Sequence, residues 1–230
     1  MNRMIAPIRI ISFIVLISSI YTHGKATRET IPTLKYIRIG SSEDLVPAMV
    51  EPKRFGGEWL VVMQRYDGTV KFNRTWAEYR DGFGMIGHEF WFGLEKMHQL
   101  TKERNHELIV ELEDFNGTSK YGRYDNFVVG PGEKRYPLEE LGAFNGTMGD
   151  SLSAQKKSGF STFDNDAFGC SNKYANGGWW YYQGRCYQSS LTGIWKNEHA
   201  WSSICWMKFS EVSRKTPLKV VRMMIRPSEI

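Results

Sequence analysis

Apolar and polar positions along the chain fall into short blocks rather than one sustained repeat. KYIRI (35–39) alternates as an edge strand does, and EWLVVMQRY (58–66) carries the denser apolar run of a buried strand. In NRTWAEYRDG (73–82) a polar start precedes Trp76 and Tyr79 at i, i+3 spacing, and Gly82 can end that helix. Leu94, Met97 and Leu100 of GLEKMHQLTKER (93–104) share one helical face. ELIVELEDF (107–115) returns to strand alternation through Leu108, Val110 and Leu112. Asn116-Gly117 is a hairpin turn signal leading into a single strand, SKYGRYDNFVV (119–129). Residues 142–205 are rich in Gly, Asn, Ser and aromatics with little periodicity, and so long an irregular stretch is more often functional than accidental. LKVVRMMIRP (218–227) closes the chain as a last strand, while Pro32, Pro47 and Pro52 interrupt any long helix in 25–55. Neither a collagen-like tract nor a heptad pattern is visible. The pattern predicts an α+β fold with a loop-rich C-terminal half.

Composition sharpens this picture. Aromatic residues are 14% of the 230, with eight Trp, alongside 22 Gly, which suits loops and short strands packed around large rings. The net charge of +5 is dispersed: the tightest clusters are Lys102 with Arg104 and Lys156 with Lys157. No basic stripe tracks a phosphate backbone, so nucleic acid is not an expected partner. Arg3 and Arg9 flank the start of an apolar run, Ile10 to Ile20, that ends near the small residue Gly24. A membrane span needs about 20 apolar residues, and this shorter run has the form of a signal peptide over 1–24, with an uncleaved anchor as the alternative. A short segment, 25–34, then precedes the main domain, and the protein is expected to be secreted. Asn73, Asn116 and Asn145 each begin a glycosylation acceptor triplet. Three cysteines, Cys170, Cys186 and Cys205, allow three pairings in an oxidising compartment. A Cys170–Cys186 bridge would stabilise by about 3 kcal/mol in the chain-entropy account and leave Cys205 either buried or bridging to another chain.

Candidate chemistry is sparse. His23, His88, His98, His106 and His199 form no metal-ligand spacing, and no nucleophile elbow, Walker loop, dinucleotide fingerprint or H-E-x-x-H occurs. His98 sits in a helix as a structural residue. The expectation is a binding protein, not an enzyme. FSTFDND holds two carboxylates, Asp164 and Asp166, on alternate residues, where calcium could collect oxygen ligands. An EF-hand is excluded because Ala175 stands at its twelfth position; a polar turn favoured by Asp and Asn remains the other reading.

GGEWLVVMQRYDGTVKFNRTWAEYRDGFG, EFWFGLEKMHQLT, ELIVELEDFNG, GTMGDSL, FSTFDND, GGWW and MMIRP follow one another in an order that resembles the fibrinogen C-terminal domain family. The likeness runs from about Lys35 to Pro227 and implies one domain over 35–228. A central antiparallel sheet with flanking short helices would support a loop-rich binding subdomain at about 142–210. One departure is plain: Val50 stands where the family places the second cysteine of an N-terminal disulfide, which implies a looser N-terminal part.

The resemblance also implies sites. It makes Cys170–Cys186 the disulfide, and calcium ligands of the Asp164 and Asp166 carboxylates with the carbonyls of Phe168 and Cys170, in a loop shorter than the family's. The lectin members bind acetyl groups beside a cis peptide before the second cysteine, here Arg185–Cys186. Tyr187 replaces their usual His, and Tyr174, Trp195 and Trp206 fall near pocket-lining positions. Two functions follow as expectations. One is a secreted lectin for acetylated carbohydrate in innate recognition. The other is an angiopoietin-like receptor or matrix ligand that binds a protein through the same loops.

Overall fold

The computed structural model describes residues 32–41, 43–167, 169–175, 177–182, 186, 188–213 and 216–228; the expected signal peptide lies outside them. Thr33–Arg38 (β1), Leu45–Glu51 (β2) and Trp59–Arg65 (β3) form an antiparallel meander. Phe83–Gly84 (β4) pairs with Phe90–Trp91 (β5), which in turn pairs with β3. His106–Asp114 (β6) and Ser119–Tyr124 (β7) make the hairpin signalled by Asn116-Gly117. Phe127–Val129 (β8) pairs with Leu138–Leu141 (β9), and Phe144–Gly146 (β10) returns to β7. Ser189–Ser190 (β11) and Cys205–Trp206 (β12) pair within the loop-rich half before Leu218–Pro227 (β13).

The main sheet runs β1-β2-β3-β13-β6-β7-β10, with β5 and β4 added on β3. Its central antiparallel character and few short helices match the α+β expectation. One element differs. The single strand expected over 119–129 is two strands in separate sheets, because Asp125 turns the chain: its carboxylate accepts the Ala143 N–H at 2.7 Å and its own N–H reaches the Ala143 carbonyl.

Alternation decides which side chains enter the core. Leu108, Val110 and Leu112 of β6 stand opposite Ile225, Met223 and Val221 of β13, all essentially buried. The opposite face is mixed: Glu107 opposite Arg226 and Glu111 opposite Arg222 flank the buried pair Ile109 and Met224. Buried Trp59 lies among these ions, with the Arg226 guanidinium 4.4 Å from its ring and its indole N–H donated to the Phe55 carbonyl. Glu107 accepts from Arg123 at 2.5 Å and Arg226 at 3.0 Å. Burial pushes its carboxyl up, but the two guanidinium bonds outweigh that and hold it below the ordinary value.

Two helices flank the sheet. Trp76–Asp81 (α1) starts at Thr75 with a capping box: the Thr75 hydroxyl accepts from the Glu78 N–H, and Glu78 accepts from the Thr75 N–H at 2.8 Å. Leu94–Glu103 (α2) buries Leu94, Met97 and Thr101, and the His98 ring nitrogen sits 2.8 Å from the Val129 carbonyl, a structural tie.

A buried carboxylate and a buried guanidinium order the loop after β3 and join it to the C-terminal loops. Glu89, fully buried, accepts the N–H groups of Tyr66, Asp67, Gly68 and Val70 and so shapes that loop. Gly68 has φ +73°, and a Cβ there would sit 2.8 Å from the Trp195 ring. Next to it Arg65, 2% exposed, donates to the carbonyls of Leu191 at 3.2 Å and Gly193 at 2.5 Å and lies 4.1 Å over the Phe72 ring. Burial lowers the Arg65 pKa to about 10 against the opposing field of Glu89, so it remains charged at neutral pH.

Arg65→Met should strand two buried carbonyls and cost about 3 kcal/mol in denaturant unfolding. Hydrogen exchange should rise around 191–194 while β6 and β13 stay protected; uniform loss of protection would contradict the tie. For Glu107 the folded value lies below the unfolded one. Its contribution is therefore present above the ordinary glutamate range, about 4.3, and lost as acid titrates the folded group. Glu107→Gln should lower stability at neutral pH and flatten the acid limb of the stability curve.

Candidate functional site

The FSTFDND loop stands on an aromatic base. Phe160 is buried, with its ring centroid 5.1 Å from Tyr79, 5.2 Å from Trp180 and 5.8 Å from Trp91. Gly178 belongs to this base, since a Cβ on it would lie 2.6 Å from Phe160 and 2.7 Å from Tyr79. Ser161 and Trp179 exchange backbone hydrogen bonds at 3.0 Å, which fastens the first half of the subdomain to GGWW. The chain then reverses in a tight turn, with Thr162 and Asn165 bonded to each other through their backbones.

Both carboxylates already have protein partners. Asp164 accepts the Thr162 hydroxyl at 2.7 Å and the Trp76 N–H at 2.9 Å, so it reaches across the fold to cap α1. Asp166 accepts the Asn172 N–H at 3.0 Å, and the Asn172 amide donates to the Phe163 carbonyl. Arg135 holds the turn from the side. It donates to the Asn165 side chain at 2.8 Å and to the carbonyls of Asn165 and Phe160, and its guanidinium lies 5.6 Å over Trp76. Arg135 and Tyr136 are consecutive non-glycine residues at φ +67° and +43°, a strained pair. Tyr136 fixes them by donating its hydroxyl to Glu95 at 2.6 Å and accepting the Trp180 indole N–H at 2.8 Å. This clamp had no signal in the sequence, because left-handed backbone at non-glycine residues has none.

The disulfide joins Cys170 and Cys186, with Cα atoms 5.4 Å apart, and closes the loop containing GGWW. Cys205 is buried and its thiol is pushed up to about 12 by burial, so at neutral pH it is an inert core residue. Beneath the loop lies a satisfied polar layer. The Gln155 carbonyl oxygen accepts from the Trp179 indole and the Ser189 hydroxyl, and the Tyr181 hydroxyl donates to the Gly177 carbonyl.

The remaining expected site residues are placed unequally. Phe168, Arg185 and Tyr187 lie outside the described residues, and with them the Arg185–Cys186 peptide. Tyr174 belongs to the π-helical turn Ser171–Ala175, and its side chain is likewise outside the description. Trp206 is 1% exposed, donates to the Gly149 carbonyl at 2.7 Å and stands opposite Ser189, which makes it part of the floor. Trp195 packs 5.1 Å from Phe115 and donates to the Lys219 carbonyl at 2.8 Å, at the junction with β13. Phe163 and Tyr182, which the sequence did not single out, are 39% and 42% exposed on the same subdomain. Asn73, Asn116 and Asn145 are all exposed.

The ligands expected here, carboxylates and main-chain carbonyls, are the set that suits calcium and not a thiolate- or imidazole-seeking metal. Among the described residues no three His, Cys, Asp or Glu side chains gather, so an ion here would rest on two carboxylates plus main-chain oxygens. Among those residues, too, no helix is long and apolar enough to cross a membrane.

The family model described as the C-terminal globular domain of fibrinogen beta and gamma chains matches residues 29–228. Human angiopoietin-related protein 6 is 37% identical over 202 residues, covering 84% of this chain and 42% of that protein. Human ficolin-3 is 40% identical over 188 residues, covering 79% of this chain and 61% of that protein. The chain thus spans only part of these relatives. Among solved structures, the fibrinogen-like globe domain of human ANGPTL2 superposes with TM-score 0.80 at 31% identity, covering 88% of this chain and 95% of that one. Lamprey fibrin D-dimer, complexed with a Gly-His-Arg-Pro-amide peptide ligand, superposes with TM-score 0.77 at 26% identity, covering 87% and 70%. With the match extending over nearly the whole described chain, the protein belongs to the fibrinogen C-terminal domain family.

Proposed function

We propose that this is an extracellular, non-catalytic recognition domain whose loop subdomain binds acetylated carbohydrate. The observation that carries the reading is the pairing of a rigid base with an aromatic surface. The Cys170–Cys186 loop sits on the Phe160–Trp180 cluster, and Phe163 and Tyr182 project from the same subdomain. Aromatic rings held by a stiff frame suit the apolar face of a sugar or an acetyl methyl. A disulfide and the leader-like 1–24 segment agree with secretion. Within this reading Asp164 and Asp166, with the Phe168 and Cys170 carbonyls, would hold calcium, which would supply a fixed charge that draws the loop together. Arg135 and Asn172 orient the loop in either case.

A second reading has its own support. The likeness to angiopoietin-related protein 6 and to a lamprey fibrin complexed with a peptide ligand favours a protein partner instead.

The two readings part on a column. Retention on immobilised N-acetylglucosamine with elution by acetate is expected, and Tyr182→Ala should weaken it by about 1 kcal/mol, roughly fivefold. Flow-through at moderate salt would favour the protein partner. For calcium, thermal melting should rise with the ion and fall with EDTA in the native chain but not in Asp166→Ala; a melting point indifferent to both removes the ion. Asp164→Ala should cost about 1 kcal/mol even with EDTA present, through the lost α1 cap.

A further inference from the structure

The path from β1 to β10 in the main sheet ends in two edges of different character. One is β10, three residues long and carrying the Asn145-Gly146-Thr147 triplet. The other is β1, six residues long, with no strand on its outer side among the described residues. Its side chains are exposed: Leu34 at 60% and Tyr36 at 63%, with exposed Pro47 paired to Tyr36 and Leu45 at 58% paired to Arg38. Edge strands are normally protected by proline, bulges or free charges. Strand β1 holds no proline, its register with β2 is continuous, and its charges are Lys35, tied to Glu58 at 2.8 Å, and exposed Arg38 at its end.

We propose that β1 is a self-association edge, at which two copies of this chain pair their β1 strands antiparallel and continue the sheet. The register follows from symmetry and charge. A two-fold axis normal to the sheet keeps each side chain on its own face, so the pairing must be centred on a residue. Centring on Lys35 sets two lysines opposite each other, which is unfavourable. Centring on Tyr36 overlaps all of Leu34–Arg38 and sets the two Tyr36 rings face to face across the axis. Arg38 then lies opposite the second copy's Leu34 and diagonal to its Tyr36 ring, within reach of a cation–π contact. On the other face Lys35 meets Ile37, and no like charges are directly opposed. Leu34 and Tyr36 gain cross-strand neighbours from the second copy, which withdraws part of their exposed apolar surface from water.

Sedimentation velocity on the full chain tests this. A dimer should appear as concentration rises. Tyr36→Glu, which opposes two carboxylates on the axis, should raise its dissociation constant roughly tenfold or more. The melting point at low concentration should not move, because Tyr36 is mostly exposed. Directly opposed Cα atoms at about 4.5–5.5 Å fall within disulfide reach, so Tyr36→Cys should oxidise to a linked dimer while Leu34→Cys should not. A chain that is monomeric at every concentration overturns the proposal, whether the edge is then covered by residues preceding β1 or by another protein. So does a dimer unmoved by Tyr36→Glu, or one linked through Leu34→Cys instead.

Discussion

The C-terminal strand β13 lies between β3 and β6, pairing with β6 from Leu218 to Pro227 and with β3 from Val221 to Ile225, and this placement constrains everything before it. A last strand at the sheet's centre means that the preceding stretch, from β10 to Leu218, must be carried outside the sheet as an excursion that starts and ends on the same framework. Such an excursion cannot build a second sheet of useful size; its own strands β11 and β12 are two residues each. Its order must therefore come from packing and from side-chain ties. Arg65 is one such tie, a buried cation that donates to two carbonyls of the excursion beside the carboxylate that shapes the neighbouring loop. The aromatic seam of Tyr79, Trp91, Phe160 and Trp180 is the other.

That division of labour explains why so many tryptophans are needed in a loop-rich half. A loop leaves backbone polar groups without ladder partners, and a buried indole can cover apolar volume while donating one hydrogen bond to a carbonyl. Trp180 does this for Tyr136, Trp206 for Gly149 and Trp195 for Lys219. Rings that resemble a ligand pocket by position thus serve first as staples for irregular chain. Among the described residues of that half, Phe163 and Tyr182 are the rings left exposed.

The two acidic residues of FSTFDND show the same economy of roles. Asp164 caps the start of a helix that begins 88 residues earlier in the chain, an interval in which the backbone forms β4 to β10. Asp166 and Asn172 tie the turn to the segment after the first disulfide cysteine. The strained Arg135-Tyr136 pair sits where these ties converge, held by Glu95 and Trp180, so the loop is ordered by protein groups before any ligand is considered.

Local pattern was enough to find the elements whose cause is local. Alternation in ELIVELED and VVRMMI, the polar start of NRTWAEYRDG and the Asn116-Gly117 turn each depend on residues within a few positions, and each lies where the sequence places it. Motif order, a property of the linear chain, likewise carried the family and the Cys170–Cys186 pairing. What only tertiary structure decided is everything caused at a distance. The break of 119–129 at Asp125 depends on Ala143, the burial of Arg65 on Leu191 and Gly193, and the capping by Asp164 on Trp76. No residue type announces such a partner in advance, because a hydrogen bond is set by where two atoms meet and not by how far apart they are in sequence.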